Sequence, residues 1–260
     1  MKKQISILIA MAIILISNLS FAVGINNGGY IEVEGVVYPE EGESLNDMRR
    51  SSILEAYRYL AEEVDNLQIS SATTVKKSRR VNDEINTKVE SAVRGAKVTS
   101  VYRDNDGAFH AIVRLPIYGG SQSLASAVLP EYSQVEDFPK PKFTNIDSSS
   151  IGENYTDLII DCRGLNISTA ISPSIKSENG EEIYNYKKIS YQTAINKGIV
   201  EYSNDINSND QRAGSNPLIV KAISISGECD AVISQSDSDR ILLANQTSKF
   251  LNKCMVVFVR

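Results

Sequence analysis

The stretch that decides the fold is Tyr30-Ile31-Glu32-Val33-Glu34-Gly35-Val36-Val37-Tyr38, YIEVEGVVY. Ile31, Val33 and Val37 fall on one side of an extended chain and Glu32 and Glu34 on the other, the alternation of a strand with one face in a core. PEEGES (39–44) breaks the run. From Asn46 to Val64 the period changes: Ile53, Tyr57, Leu60, Ala61 and Val64 recur at helical spacing, opposite Arg50, Glu55, Arg58 and Glu62. Ser44 or Asn46 supplies the side-chain oxygen that caps such a helix. LQISSATTV (67–75), rich in β-branched residues and hydroxyls, reads as a second strand. Ile85, Val89 and Val93 mark a second helix that Gly95 terminates. AKVTSVYR (96–103) and AFHAIVRLPIY (108–118) flank Asp104-Asn105-Asp106-Gly107, a hairpin turn. The expected order is β-α-β-α-β-β.

Outward from this module, the chain divides into a leader, a linker and a second half. MKKQISILIAMAIILISNLSFA (1–22) has Lys2 and Lys3, an apolar core too short to span a bilayer, and Ser20-Phe21-Ala22, a small-residue cleavage signal. It predicts export with removal of residues 1–22. No cysteine near the cleavage point offers a lipid attachment site, and no second apolar stretch is long enough to span. The expected product is therefore exported to the periplasm or the cell surface without a lipid anchor. Residues 119–154, with Pro130, Pro139 and Pro141 among glycines and serines, read as a linker holding one helical turn near 123–128. From 155 to 260, DLIIDC, the Asn179-Gly180 hairpin, a helix near 191–199, NPLIVKAISIS, DAVIS, a helix from Ser236 and MVVFV make a second module. The fold class is α+β, two small mixed modules, 23–118 and 155–260.

Composition narrows the partners. Loss of Lys2 and Lys3 lowers the 27 basic residues to 25, against 32 acidic ones. An acidic protein is a poor match for nucleic acid, whose binding needs a concentrated excess of Lys and Arg. Nothing calls for a cofactor. Cys162, Cys229 and Cys254 allow one disulfide at most in an oxidising compartment. Cys229, in a turn, and Cys254, at the entry to the last strand, are the preferred pair, with Cys162 a buried thiol.

Few residues suggest chemistry. His110, the single histidine, alternates away from the apolar face of 108–118 and lacks the neighbours of a triad or a zinc site. Glu40, Glu41 and Glu43, like Glu201, Asp205 and Asp210, lie in loops without calcium-loop spacing. Gly214-Ser215-Asn216-Pro217 precedes a strand rather than a helix, so it is a turn and not a phosphate loop or nucleophile elbow. Lys76-Lys77-Ser78-Arg79-Arg80 is the one dense basic run. It reads as a solvated loop, or as a patch in which Lys76, Lys77, Arg79 and Arg80 meet an anionic envelope component. Tyr59 off the apolar face of helix 46–64, Tyr57 near its edge, and the Thr73-Thr74 strand end are candidate contact residues. The tyrosines could equally lie over the linker.

AYRYLAE at 56–62, Thr73-Thr74, Gly95 and Pro116-Ile117-Tyr118 together resemble the LPP-type surface lipoprotein domain, itself similar to the N-terminal module of flagellar assembly proteins T and P. The likeness spans about a third of the chain. It implies non-enzymatic roles at the cell surface, the outer membrane or the flagellar base, by packing with itself or with other envelope proteins.

Overall fold

The computed structural model describes residues 29–142, 155–206, 212 and 214–260. The leader and its cleavage point, the far end of the linker and Asp210 lie outside them.

In the first module, β1 (Tyr30–Val37), β4 (Lys97–Arg103) and β5 (Phe109–Pro116) form an antiparallel sheet in the order β1-β5-β4. Helix α1 (Leu45–Asn66) lies across it, capped by Ser44, whose hydroxyl accepts from the Asp47 N–H at 3.2 Å. Ile31, Val33, Ala111, Val113 and Leu115 bury one face of the sheet against Ala56, Leu60 and Val64. The crossing depends on Gly35. A Cβ there would stand 2.2 Å from the Ser52 carbonyl oxygen and 2.3 Å from the Ala56 nitrogen, so only glycine lets helix and strand backbones approach this closely.

Two features of this module differ from expectation. Residues 67–75 are not one strand but a small hairpin, β2 (Gln68–Ser70) and β3 (Thr73–Thr74). The basic run after it is not a loop. It is helix α2 (Val75–Val81), because the Thr74 hydroxyl caps it by accepting from the Lys77 N–H (3.2 Å) and the buried Val75 anchors it. Asn82 then ends α2 and caps α3 (Asp83–Arg94), which stops at Gly95. The outer edge of β2 is itself paired: Ile171 and Ser172 donate their N–H groups to the carbonyls of Gln68 and Ile69, at 2.9 and 2.7 Å. The chain pairs its own second half with that edge.

The segment after β5 is a strap. Helix α4 (Leu124–Val128) buries Leu124, Ala125, Ala127 and Val128 in the first core, together with Ile117 and Leu129. Composition concealed this because LASAVL is small-residue and short, yet small side chains suit close packing on α3. The chain then runs extended over the second module. The Tyr132 hydroxyl donates to the carbonyls of Tyr186 and Ile189, and Phe138 packs on the second core. The Glu136 N–H reaches the Lys187 carbonyl (2.9 Å), and the Lys142 N–H reaches Asp239 (2.8 Å).

The second module has two four-stranded sheets. One is parallel, with β10 (Pro217–Lys221), β6 (Asp157–Asp161), β13 (Val256–Val259) and β9 (Glu201–Ser203) in that order. The other is mixed, β11 (Ser224–Ser226), β12 (Asp230–Ile233), β7 (Ile175–Ser177) and β8 (Glu182–Tyr184). Helices α5 (Tyr191–Lys197) and α6 (Gln235–Ser248) complete it. NPLIVKAISIS is thus two strands of different sheets, broken at Ala222-Ile223. Glu201, expected in a loop, lies on β9, 3.6 Å from Arg212.

Candidate functional site

The outward face of the first sheet carries the most organised polar cluster of the module. Alternation sends Tyr30, Glu32 and Glu34 of β1 outward, with His110 and Arg114 of β5 beside them, and the register sets Tyr102 of β4 directly across from His110. Arg114 pairs with Glu32 at 2.6 Å and lies 4.0 Å from the centre of the Tyr30 ring. His110 is held at both ring nitrogens: Nδ1 stands 2.8 Å from Glu34 Oε1, and Nε2 3.1 Å from Asp104 Oδ2. Tyr102 stacks on its ring, centroids 4.7 Å apart, and donates its hydroxyl to the same Glu34 oxygen at 2.9 Å.

The electrostatics follow from those bonds. Partial burial works against a charged His110, but hydrogen bonds to Asp104 and Glu34 outweigh it and raise its pKa above the ordinary imidazole value. The same bond to His110 lowers Asp104. The two carboxylates sit at opposite edges of the imidazole, so they cannot share one cation with it. Among the described residues, no group of three or more His, Cys, Asp and Glu could hold a metal ion. Sequence patterning placed His110 outward but missed Glu34, Tyr102 and Asp104 as its partners. The β4–β5 register, fixed by the Asp104–Gly107 turn, would have found Tyr102 and Asp104, but Glu34 comes from the remote pairing of β1 with β5.

The residues singled out beforehand fall in separate places. Tyr57 turns inward, against the first core, and donates its hydroxyl to the Ala96 carbonyl at 2.7 Å. Tyr59 stays 38% exposed, with the Arg58 guanidinium 4.4 Å from its ring centre. Thr73 and Thr74 do not offer an open strand end; Thr74 caps α2, and Thr73 bonds the Thr74 carbonyl and lies 3.3 Å from Ser78. Arg79 is neutralised by Asp65 at 2.5 Å and bonded to Asn86, so it leaves the basic patch. Lys76, Lys77 and Arg80 remain exposed on α2.

The preferred disulfide does not form. All three cysteines are free and buried, because Cys229 sits at the β11–β12 turn of the mixed sheet and Cys254 beside β13 of the parallel one. Burial pushes the Cys162 and Cys229 thiols up to about 12. Gly214-Ser215-Asn216-Pro217 is the turn expected. The Gly214 N–H bonds Asp157 Oδ1 at 2.9 Å, Asn216 exchanges bonds with Thr156, and Pro217 opens the edge strand β10.

Residues 32–116, the sheet with its α1, α2 and α3, match the family model of the LPP20 lipoprotein. The first module is thus similar to an LPP20 lipoprotein domain, over about a third of the chain. Residues 157–260 match the model of the second domain of Treponema pallidum Tp0624. No curated protein gives a significant match to the chain. The LPP20 match takes in the AYRYLAE run at 56–62, Thr73-Thr74, Gly95 and Pro116, and ends just short of Ile117 and Tyr118. The His110 cluster and Tyr59 both belong to this LPP20-like domain, whereas the cysteines and the Gly214 turn belong to the second.

Proposed function

We propose that this protein is an exported, non-catalytic envelope component that works by packing against other proteins, either copies of itself or neighbours in the periplasm or at the cell surface. Its LPP20-like domain supports the envelope assignment, since the family is one of lipoproteins. The observation that carries the packing role is the Arg58–Tyr59 pair on the outside of α1. Arg58 is fixed by Glu55 at 2.6 Å and by Glu62 at 2.7 Å, and it lies over the Tyr59 ring. Tyrosine and arginine held in place on a surface have little entropy left to lose on binding, and both are enriched at interfaces.

Size measurement on the mature protein tests this reading. Rings, filaments or defined oligomers support it, and so does co-purification of a stoichiometric envelope partner. A monomer that turns over a hydrolase substrate contradicts it. The narrower form, a place at the flagellar base, rests on the likeness to assembly proteins T and P and requires the protein to co-purify with basal bodies.

A second reading has α2 contacting an anionic envelope component. Lys76, Lys77 and Arg80 favour it: they share one side of the helix, and Val81 beside them is 86% exposed. Each cation near an anionic surface contributes only about 1 kcal/mol, so binding to vesicles would be weak and would vanish with added salt. Retention on anionic vesicles in high salt would exclude it.

A further inference from the structure

We propose that His110 works as a proton-operated clamp, in which the doubly protonated ring donates one N–H to Glu34 on β1 and the other to Asp104 in the β4–β5 turn, and so holds the tip of that hairpin against the neighbouring strand. The geometry requires two donors. Both ring nitrogens face carboxylate oxygens, at 2.8 and 3.1 Å, and a carboxylate only accepts. A neutral imidazole carries a single N–H, so one carboxylate would then face a lone pair.

Among the described residues beside the ring, no other group can take over. Arg114, on the same strand, is committed to Glu32. Arg103 donates to the Gly107 carbonyl and lies over the Phe109 ring. Tyr102 already spends its hydroxyl on Glu34, and Asp106 adds a further negative charge to the turn. Asp104 also accepts the Ala108 N–H at 2.8 Å, so the carboxylate that receives the His110 proton is the one that shapes the turn. Loss of the proton therefore reaches the backbone of the tip directly.

The sign follows from the shifts. His110 is raised, so its contribution is complete below the unfolded value of about 6.5 and disappears as pH rises through the folded value. Asp104 is lowered, so its contribution is complete above about 3.9 and disappears as pH falls through its folded value. The clamp is closed in mildly acidic medium and opens on the alkaline side. An exported protein meets such changes directly.

Because the chain has one histidine, its ring signals are unambiguous in a nitrogen-15 NMR titration of the mature protein. The clamp requires a midpoint above about 6.5, lowered in Glu34→Gln and again in Asp104→Asn. Hydrogen-exchange protection of the Ala108 amide, normalised for intrinsic exchange, should fall several-fold across the His110 midpoint in the wild type and stay flat in His110→Gln. A midpoint at or below the free value, or equal protection profiles in wild type and His110→Gln, overturns the proposal. If His110→Gln does not fold, the ring titration of Glu34→Gln decides alone: no downward movement overturns it.

Discussion

Gly214 does its work through the absence of a side chain rather than through an unusual backbone angle. A Cβ there would stand 2.2 Å from Thr156 Oγ1 and 2.5 Å from Thr156 Cβ. That Thr156 oxygen accepts from Asn216 and donates to Asp157, so it cannot simply rotate away. Gly214→Val should therefore cost about 1–3 kcal/mol, the usual range for overpacking, seen as a lower thermal midpoint. Ser215 is exposed and no part of this net, so Ser215→Ala should leave the midpoint unchanged. A fall with Ser215→Ala equal to that with Gly214→Val would show that the turn has been misread. The sequence identified the turn from Pro217 and Asn216, but not the Thr156–Asp157 bed on which Gly214 rests. That bed lies some sixty residues earlier and leaves no local pattern.

Elements built on a strong period were legible. β1, α1, α3 and β5 lie where alternation or helical spacing set them, because each turns a regular face to one core, whereas the largely exposed β4 was placed by the hairpin turn that follows it. Elements that depend on a cap or on remote pairing were not. The run 76–80 has no apolar stripe, and its helix follows from Thr74 and Asn82 at its ends. β9 is three residues long and is held by pairing with β13, a contact with no signature in its own sequence. The α1–β1 crossing lies between these cases: Gly35 was visible inside a strand, but its reason needed the Ser52 and Ala56 backbones. Gly35→Ala should destabilise the protein by about 3 kcal/mol, because backbone atoms on a packed helix cannot retreat as a side chain can. Urea unfolding measures this, and a loss under about 0.5 kcal/mol would show that α1 can lift from the sheet freely.

At the scale of the molecule, the two modules are one body. Ile171 and Ile195 of the second module sit in the first core, Tyr118 donates its hydroxyl to the Ile171 carbonyl at 2.9 Å, and the Gly119 N–H reaches the Ile195 carbonyl at 3.0 Å. Composition suggested two domains joined by a linker over 119–154 because glycines, serines and Pro130, Pro139 and Pro141 punctuate it without a sustained period, while the buried LASAVL turn is too short to show one. A shared core implies shared stability. Thermal unfolding of the mature protein should show one transition, with far-ultraviolet and tyrosine signals coincident. Two well-separated transitions would mean that the modules unfold independently.

An Arg58–Tyr59 pair held on the outside of α1 suits the proposed packing role, and the most direct measurement is light scattering of the mature wild type beside Tyr59→Ala. Tyr59 is outside the core, so a thermal melt should move by no more than about 0.5 kcal/mol. The wild type should associate, with itself or with an envelope partner, and Tyr59→Ala should weaken this association at an unchanged melt. Unchanged association at an unchanged melt would contradict the packing role.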